Sequence, residues 1–444
     1  MTKNTIVKAD LNAPAVTEIL AHFVINHPSK GWSDAVDEQA HRTLANWTGC
    51  AIGASRHEPV EAALRAVMML EPAPQASILG RTERVDIANA ALINGISSHT
   101  FDYDDTHLKT IIHPAGPVAS ALMALSELLD SSGREVMDAL VLGIEVSCRV
   151  GNCIYPDHYD RGWHITGTTG ILGAAAACSR LLKLSAEQTQ MALGIAASQP
   201  VGLREQFGTM TKPLHPGAAA KTGLMAALMA KQGFTASARA LEAPRGLIQV
   251  ISDKCDWKEI TEGLGLDWES ALNTYKPFAC GIVIHPSIDG CVQLRNQHNL
   301  KPEQIEEVRL KVHSLVIELT GKKTPKKGLE GKFSVYHSCA AGLIYGKAGE
   351  HEYSDAVVQD PAVIALRDKV KAVIDDSIGE AAADITLLTK DGKQHHILIE
   401  HAIGSLERPM SNEQLKAKFM DQVAAVIGQG PADQAWQRAM NFGR

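Results

Sequence analysis

Asp102, Asp104, Asp105, His107 and His113 fall within twelve residues of one another in the stretch SHTFDYDDTHLKTIIHPAG, residues 98–116. Carboxylates and imidazoles at that density can hold and move protons, because histidine exchanges its proton near neutral pH and a neighbouring carboxylate can orient the ring. If buried, such carboxylates are strongly penalised unless they are paired. A helix continuing through this stretch would put Asp102 and Thr106 on one face, four residues apart. The same residues would also serve as an ordinary solvated helix end with a capping aspartate. A magnesium-binding DDxx(D/E) motif is excluded: Leu108 stands where the third carboxylate would be, and leucine cannot bind the ion.

Three further stretches could carry chemistry. In RGWHITGTTG, residues 161–170, His164 precedes a Gly/Thr-rich turn and then an apolar helix, Ile171 to Leu182. A helix start exposes unpaired N–H groups and a partial positive charge, which suit an anion, and Thr166, Thr168 and Thr169 add hydroxyls. Ordinary capping with a packed His164 is the alternative. In FGTMTKPLHPGAAAK, residues 207–221, Lys212 is the first cation of an otherwise uncharged run and could meet a substrate carboxylate as a point charge, or simply sit on a surface loop. The last pair is YKPFACGIVIHP, residues 275–286, and KFSVYHSCAAG, residues 332–342, which offer Lys276, His285 and Tyr336. Tyr336 on an apolar helix reads equally well as a core tyrosine with a satisfied hydroxyl.

The elements that must position these residues are mostly helices up to about residue 272. Val36, Ala40, Leu44, Trp47 and Ala51 recur at three- and four-residue spacing in Ala35 to Ile52, the period of a one-sided helix. Val60 to Leu70 does the same after Pro59, and Val85 to Ile96 is apolar nearly all round, as in a buried helix. Pro117 to Leu129 and Ala218 to Ala230 continue the series, and Ser185 with Gln188 makes a capping box ahead of Met191 to Ala197. Beyond Asn273 the texture changes. Val308, Leu310 and Val312 alternate with charged residues, as in a half-buried strand. Ile385 to Thr389 and Gln394 to Glu400 flank Asp391-Gly392, a hairpin signal. Phe333 to Tyr345 and Ala362 to Ile374 read as helices, and Ser411 with Gln414 caps a last one, Leu415 to Ile427. The fold class that follows is mainly α: a large all-helical domain over 1–272 and 406–444, with a smaller α+β domain, 273–405, inserted in it.

Composition narrows the function. The formal net charge of −7 lacks the dense basic face that a nucleic-acid or anionic-membrane partner requires. Met1 to Asp10 is polar, without the apolar core of a signal peptide, and no run is long enough to span a bilayer. None of the eight cysteines forms a CxxC pair, so zinc-ribbon and thioredoxin-like readings fall and a cytoplasmic chain with reduced thiols is expected. There is no GxGxxG after a strand, no P-loop and no HExxH, so neither a cofactor nor a metal is expected.

Taken in order, FDYDDTHLKTIIHPAG, GWHITGTTG, GTMTKPLHPGAAAKTG, YKPFACGIVIHP, KFSVYHSCAAG and GSLERPMS resemble the MmgE/PrpD family over nearly the whole chain, from about Leu44 to Phe419. That resemblance implies a large helical domain, an inserted α+β lid and a homodimer. It also implies a cofactor-independent dehydratase, decarboxylase or epimerase of a small polycarboxylate. In the decarboxylase branch the active site matches Asp102, Thr106, His113, His164, Lys212 and Tyr336, with one residue more between Thr106 and His113 here than in that pattern. The chain has His113-Pro114-Ala115-Gly116 where the dehydratase branch has a GHPSDN-like stretch, and Lys212 has no clear counterpart there.

All three reactions move a proton at a carbon next to a carboxylate. The resemblance thus implies Lys212 and His164 as carboxylate anchors, helped by Thr166 and Thr168, with Lys276 and His285 as further substrate contacts. His113 is expected as the main acid or base, oriented by Asp102, and Tyr336 as a second proton donor. A lyase is the leading reading, a dicarboxylate epimerase the runner-up, and a non-catalytic carboxylate-binding dimer the alternative from another class.

Overall fold

The computed structural model describes residues 13–444, so the polar opening Met1 to Asp10 lies outside the described residues. The chain divides into two compact units. The first comprises the described residues through Thr100, then Asp104–Asn273 and Phe419–Arg444; the second comprises Phe101–Tyr103 and Thr274–Lys418. The fold is mainly α, and among the described residues no helix is long and apolar enough to cross a membrane.

In the first unit, the helices that matter for the polar stretches are α1 (Asp34–Gly53), α2 (Ile87–His99), α3 (Ala115–Leu129), α4 (Gly133–Ile154), α5 (Ile165–Leu181) and α6 (Thr211–Lys231). Asp86 caps α2 by accepting a hydrogen bond from the Asn89 amide, and Ser132 with Glu135 forms a capping box on α4. The predicted box of Ser185 and Gln188 heads the helix Ala186–Ala197.

Small residues let these helices touch backbone to backbone. A Cβ on Gly95 of α2 would lie 2.5 Å from the Gly217 Cα of α6, and one on Gly143 of α4 would lie 2.7 Å from the Gly173 carbonyl oxygen of α5. Such crossings leave little play, because protein interiors pack like crystals rather than liquids. They fix the helix ends that carry the polar side chains: His99 closes α2, His164 stands immediately ahead of α5, and Lys212 lies in the first turn of α6.

Three local expectations change. Helix α2 stops at His99 and Asp102 takes a left-handed φ of +52°, so Asp102 and Thr106 do not share a helix face; Asp105–His107 is instead a short strand. Helix α5 begins at Ile165, so the Gly/Thr-rich segment is its first turns rather than a turn before it. Helix α6 begins at Thr211 and runs through Pro216. Pro216, the sixth residue of the helix, gives up the bond that an N–H there would make to the Lys212 carbonyl, and its ring fills the space beside Gly116, whose Cβ would stand 3.1 Å away.

The second unit is built on a four-stranded sheet of β1 (Ile305–Val312), β2 (Val370–Ile374), β3 (Ala383–Thr389) and β4 (Gln394–Ile399), in spatial order β2-β1-β3-β4. As the alternation predicts, Val308, Leu310 and Val312 are buried. The β3–β4 pair is antiparallel, and its turn uses Gly392 at φ +83°. Helices α7 (His285–Gln297) and α8 (Val335–Tyr345) cover the sheet; a Cβ on Gly290 of α7 would lie 2.5 Å from the Ile385 side chain of β3. The helix expected over Ala362 to Ile374 is corrected: it spans only Pro361–Arg367, and Val370–Ile374 runs parallel to β1 as an edge strand. The β-branched Val370, Val373 and Ile374 suit that pleated edge better than a helix. The chain returns to the first unit within the helix Asn412–Ile427, capped by Ser411 and Gln414 as expected.

Candidate active site

Within the first unit, the ends of α2, α5 and α6 and the segment between α2 and α3 gather four histidines and two aspartates, all buried: His99, Asp104, Asp105, His113, His164 and His215. Nδ1 of His99 lies 2.7 Å from Asp104 Oδ2. The other oxygen of the same carboxylate stands 3.6 Å from Nδ1 of His113. The rings of His99 and His113 meet edge to face, with centroids 4.8 Å apart, and the His164 ring is 5.6 Å from His99.

His113 is fixed from several sides. Its Nδ1 donates to the Asp105 carbonyl oxygen at 2.7 Å and lies 3.3 Å from the Thr106 hydroxyl, and its backbone N–H donates to Thr166 Oγ1 at 3.1 Å. With the hydrogen on Nδ1, Nε2 is the basic atom of the ring. The carboxylate within orienting range is that of Asp104, and Thr166 acts on His113 as a positioning group. The Asp105 side chain is turned inward: Oδ2 accepts from the Ala115 amide at 3.0 Å and from Asn273 Nδ2 at 2.7 Å. Burial, and then the charge of Asp104, pushes its carboxyl up to about 7, so this pair of aspartates tends to keep one proton.

His164 and His215 face each other, Nδ1 to Nδ1, at 2.8 Å, a spacing that requires one shared hydrogen. Burial holds His164 well below the usual histidine value, helped by His99, Lys212, His215 and His113; His215 is pushed down to about 4 by burial, then by His99 and Lys212. Both are neutral at pH 7, so His164 meets an anion only through an N–H, and the fixed cation of the cluster is Lys212. Its ammonium lies 5.0 Å from the centroid of the Phe207 ring, which also packs edge-on against His164 at 5.0 Å. The Thr168 hydroxyl is engaged elsewhere: it pairs with Nε2 of the buried His158 at 2.7 Å and with the Ile165 carbonyl. It therefore braces the start of α5.

One ligand atom each from His99, Asp104 and His113 lies within 4.8 Å of the others. Two ligands of a tetrahedral zinc ion with bonds near 2.0 Å stand about 3.3 Å apart. The 2.7 Å between His99 and Asp104 is a hydrogen-bond separation, and Nδ1 of His113 is held by a carbonyl. These atoms are arranged to hold protons.

In the second unit, three buried lysines grip three successive residues. Lys332 donates to the Phe101 carbonyl at 2.7 Å, Lys276 to the Asp102 carbonyl at 3.1 Å and its carboxylate at 2.7 Å, and Lys418 to the Tyr103 carbonyl at 2.6 Å. This grip holds Asp102 in its left-handed conformation, and the Asp102 carboxylate neutralises Lys276. Nε2 of His285 pairs with the Cys280 carbonyl at 3.3 Å, and burial together with Lys276 drives the ring down to about 3. Tyr336 is buried in the first turn of α8, and burial raises its hydroxyl above the usual tyrosine value.

The first unit thus assembles Thr106, His113, His164, Lys212 and Thr166, while Asp102, Lys276, His285 and Tyr336 belong to the second. Sequence reasoning missed His99, Asp104 as the orienting carboxylate, His215 and Phe207. The signal for His99 was present, as the one histidine ending a helix that is apolar nearly all round. Which of three clustered aspartates faces His113 depends on the backbone reversal at Asp102, which spacing does not reveal.

The MmgE/PrpD N-terminal domain matches residues 18–260, and the MmgE/PrpD C-terminal domain matches residues 278–441. Cis-aconitate decarboxylase of Aspergillus terreus is 26% identical, over 94% of this chain and 91% of that protein. The mouse (Mus musculus) cis-aconitate decarboxylase is 26% identical over 91% of this chain and 86% of its own length. The 2-methylcitrate dehydratase of Escherichia coli strain K12 is 23% identical over 88% of this chain and 86% of its own length.

Proposed function

The chain belongs to the MmgE/PrpD family, and from that premise we propose that it is a lyase that acts on a small di- or tricarboxylate by moving a proton at a carbon next to a carboxylate. The observation that carries this reading is His113: a buried imidazole whose Nδ1–H is pinned to a backbone carbonyl, leaving Nε2 basic, in the same cluster as the Lys212 cation. Lys212 holds a substrate carboxylate by charge, and the N–H groups at the start of α5 add donors for an anion. Neutral His164 contributes an N–H without adding a charge. His113 takes or gives the proton at carbon, a role that supplies roughly 10²–10⁴-fold in rate. Thr106 and Thr166 keep its ring in place. Tyr336 and Asp102 are assigned to the same reaction on the family resemblance alone.

Incubation of the purified protein in D2O with cis-aconitate, citrate, 2-methylcitrate and iminodisuccinate, followed by proton NMR, tests this. Loss of a C–H signal with formation of an alkene or of CO2 is the expected result. Exchange into unchanged substrate would replace the lyase with an epimerase. Binding detected by calorimetry without exchange on any ligand would refute both and leave a carboxylate-binding protein.

A further inference from the structure

His99 has no part in the mechanism above, yet its surroundings are those of a working imidazole. It is 1% exposed, Nδ1 faces Asp104 Oδ2 at 2.7 Å, and Nε2 is buried without a hydrogen-bond partner among the described residues. A buried polar atom with no partner is unfavourable, and in native proteins it calls for a ligand or a catalytic role. A carboxylate behind one ring nitrogen, with the other nitrogen open, is the arrangement that stabilises an imidazolium when a proton arrives. The ring neighbours those of both His113 and His164, with centroids 4.8 Å and 5.6 Å away.

We propose that His99 is a further catalytic residue, which takes up a proton when a polycarboxylate binds and donates Nε2–H to the substrate carboxylate next to the reacting carbon. This rests on the reading of the cluster as a polycarboxylate site. The proton comes from solvent, the resulting imidazolium is neutralised by Asp104, and no bond of the substrate changes in this step. When His113 then moves the proton at carbon, negative charge spreads onto that carboxylate, and the His99 N–H is already aimed at it. Fixed donors placed where charge develops stabilise the transition state more than the ground state. The pair therefore acts chiefly on kcat.

The test uses tricarballylate, a saturated tricarboxylate with neither a hydroxyl to lose nor a double bond, in isothermal titration calorimetry at about pH 8. Titrations in two buffers of different ionisation enthalpy count the protons taken up on binding. The wild type is expected to take up close to one proton, and H99Q and D104N to bind with that uptake lost. In steady-state assays on the substrate identified by NMR, both variants should lose about 10²–10³-fold in kcat with KM within a few-fold. Circular dichroism checks their fold, and His99→Asn serves as a second replacement. Proton uptake unchanged in H99Q, or kcat within a few-fold of wild type, would overturn the role of His99 and leave the lyase reading intact. A wild type that does not bind tricarballylate and turns over no polycarboxylate would overturn both.

Discussion

Replacing Asp105 by asparagine separates the two adjacent aspartates by their physics. The Asp105 carboxyl sits at about 7 in the folded chain, raised by burial and then by Asp104, against about 3.9 in an unfolded chain. A group whose folded pKa is raised contributes stability that is complete below the unfolded value and is lost as pH rises through the folded one. Each pH unit in that window is worth about 1.4 kcal/mol, so from pH 5 to pH 8 the wild type loses about 3 kcal/mol through this group. Asparagine cannot titrate. Its carbonyl can replace Oδ2, accepting from the Ala115 amide and Asn273, while its NH2 falls where Oδ1 has no hydrogen-bond partner among the described residues. That unsatisfied donor costs about 1–3 kcal/mol at every pH and drops out of the comparison. Thermal unfolding of both proteins at pH 5 and pH 8 should show the stability gap moving by about 3 kcal/mol in favour of D105N at the higher pH, a shift of several degrees in Tm. His164 and His215, held low, pull the opposite way below about pH 6.5, but they do so in both proteins and cancel. Parallel pH profiles for the two proteins would refute the assignment of a retained proton to Asp105.

Other perturbations probe the rest of the molecule. H113A should lower turnover by about 10²–10⁴-fold with an unchanged circular dichroism spectrum; near-full activity would remove this residue from the mechanism. K276M leaves the Asp102 carboxylate buried without its cation and should destabilise the protein by about 3–5 kcal/mol in denaturant unfolding, most of which the double variant with D102N recovers. G95A pushes a methyl to 2.5 Å from the Gly217 Cα, backbone that cannot swing aside, and should lower stability by about 1–3 kcal/mol; an unchanged Tm would mean that α2 and α6 are not in backbone contact.

The apolar periodicity of the helices, the Ser185 box, the alternation of Val308, Leu310 and Val312 and the hairpin at Asp391-Gly392 are local properties, and reading them along the chain located those elements to within a few residues. Where local signals compete, the chain was less legible. Val370 to Ile374 follows directly on a helical segment and reads as its continuation, until the edge of β1 is there to receive its β-branched residues. Pro216 reads as a helix start until the α3–α6 contact shows its ring packed beside Gly116, within the helix. The order of the polar motifs singled out His113, His164 and Lys212, which the first unit brings into one cluster, because residue type and sequence neighbourhood are written in the chain.

What each polar group does was decided only in three dimensions. Asp102 and Asp104 are two residues apart, yet the left-handed turn at Asp102 gives one to Lys276 and aims the other at His99 and His113. Charge state followed the same rule: burial raises the Asp105 carboxyl to about 7 and holds His164 and His215 neutral at pH 7, which no spacing could report. Sequence determined which chemistry was available, since side-chain type is local. Tertiary structure decided which atoms face one another and how dry they are, because orientation and desolvation are set by residues far away in the chain.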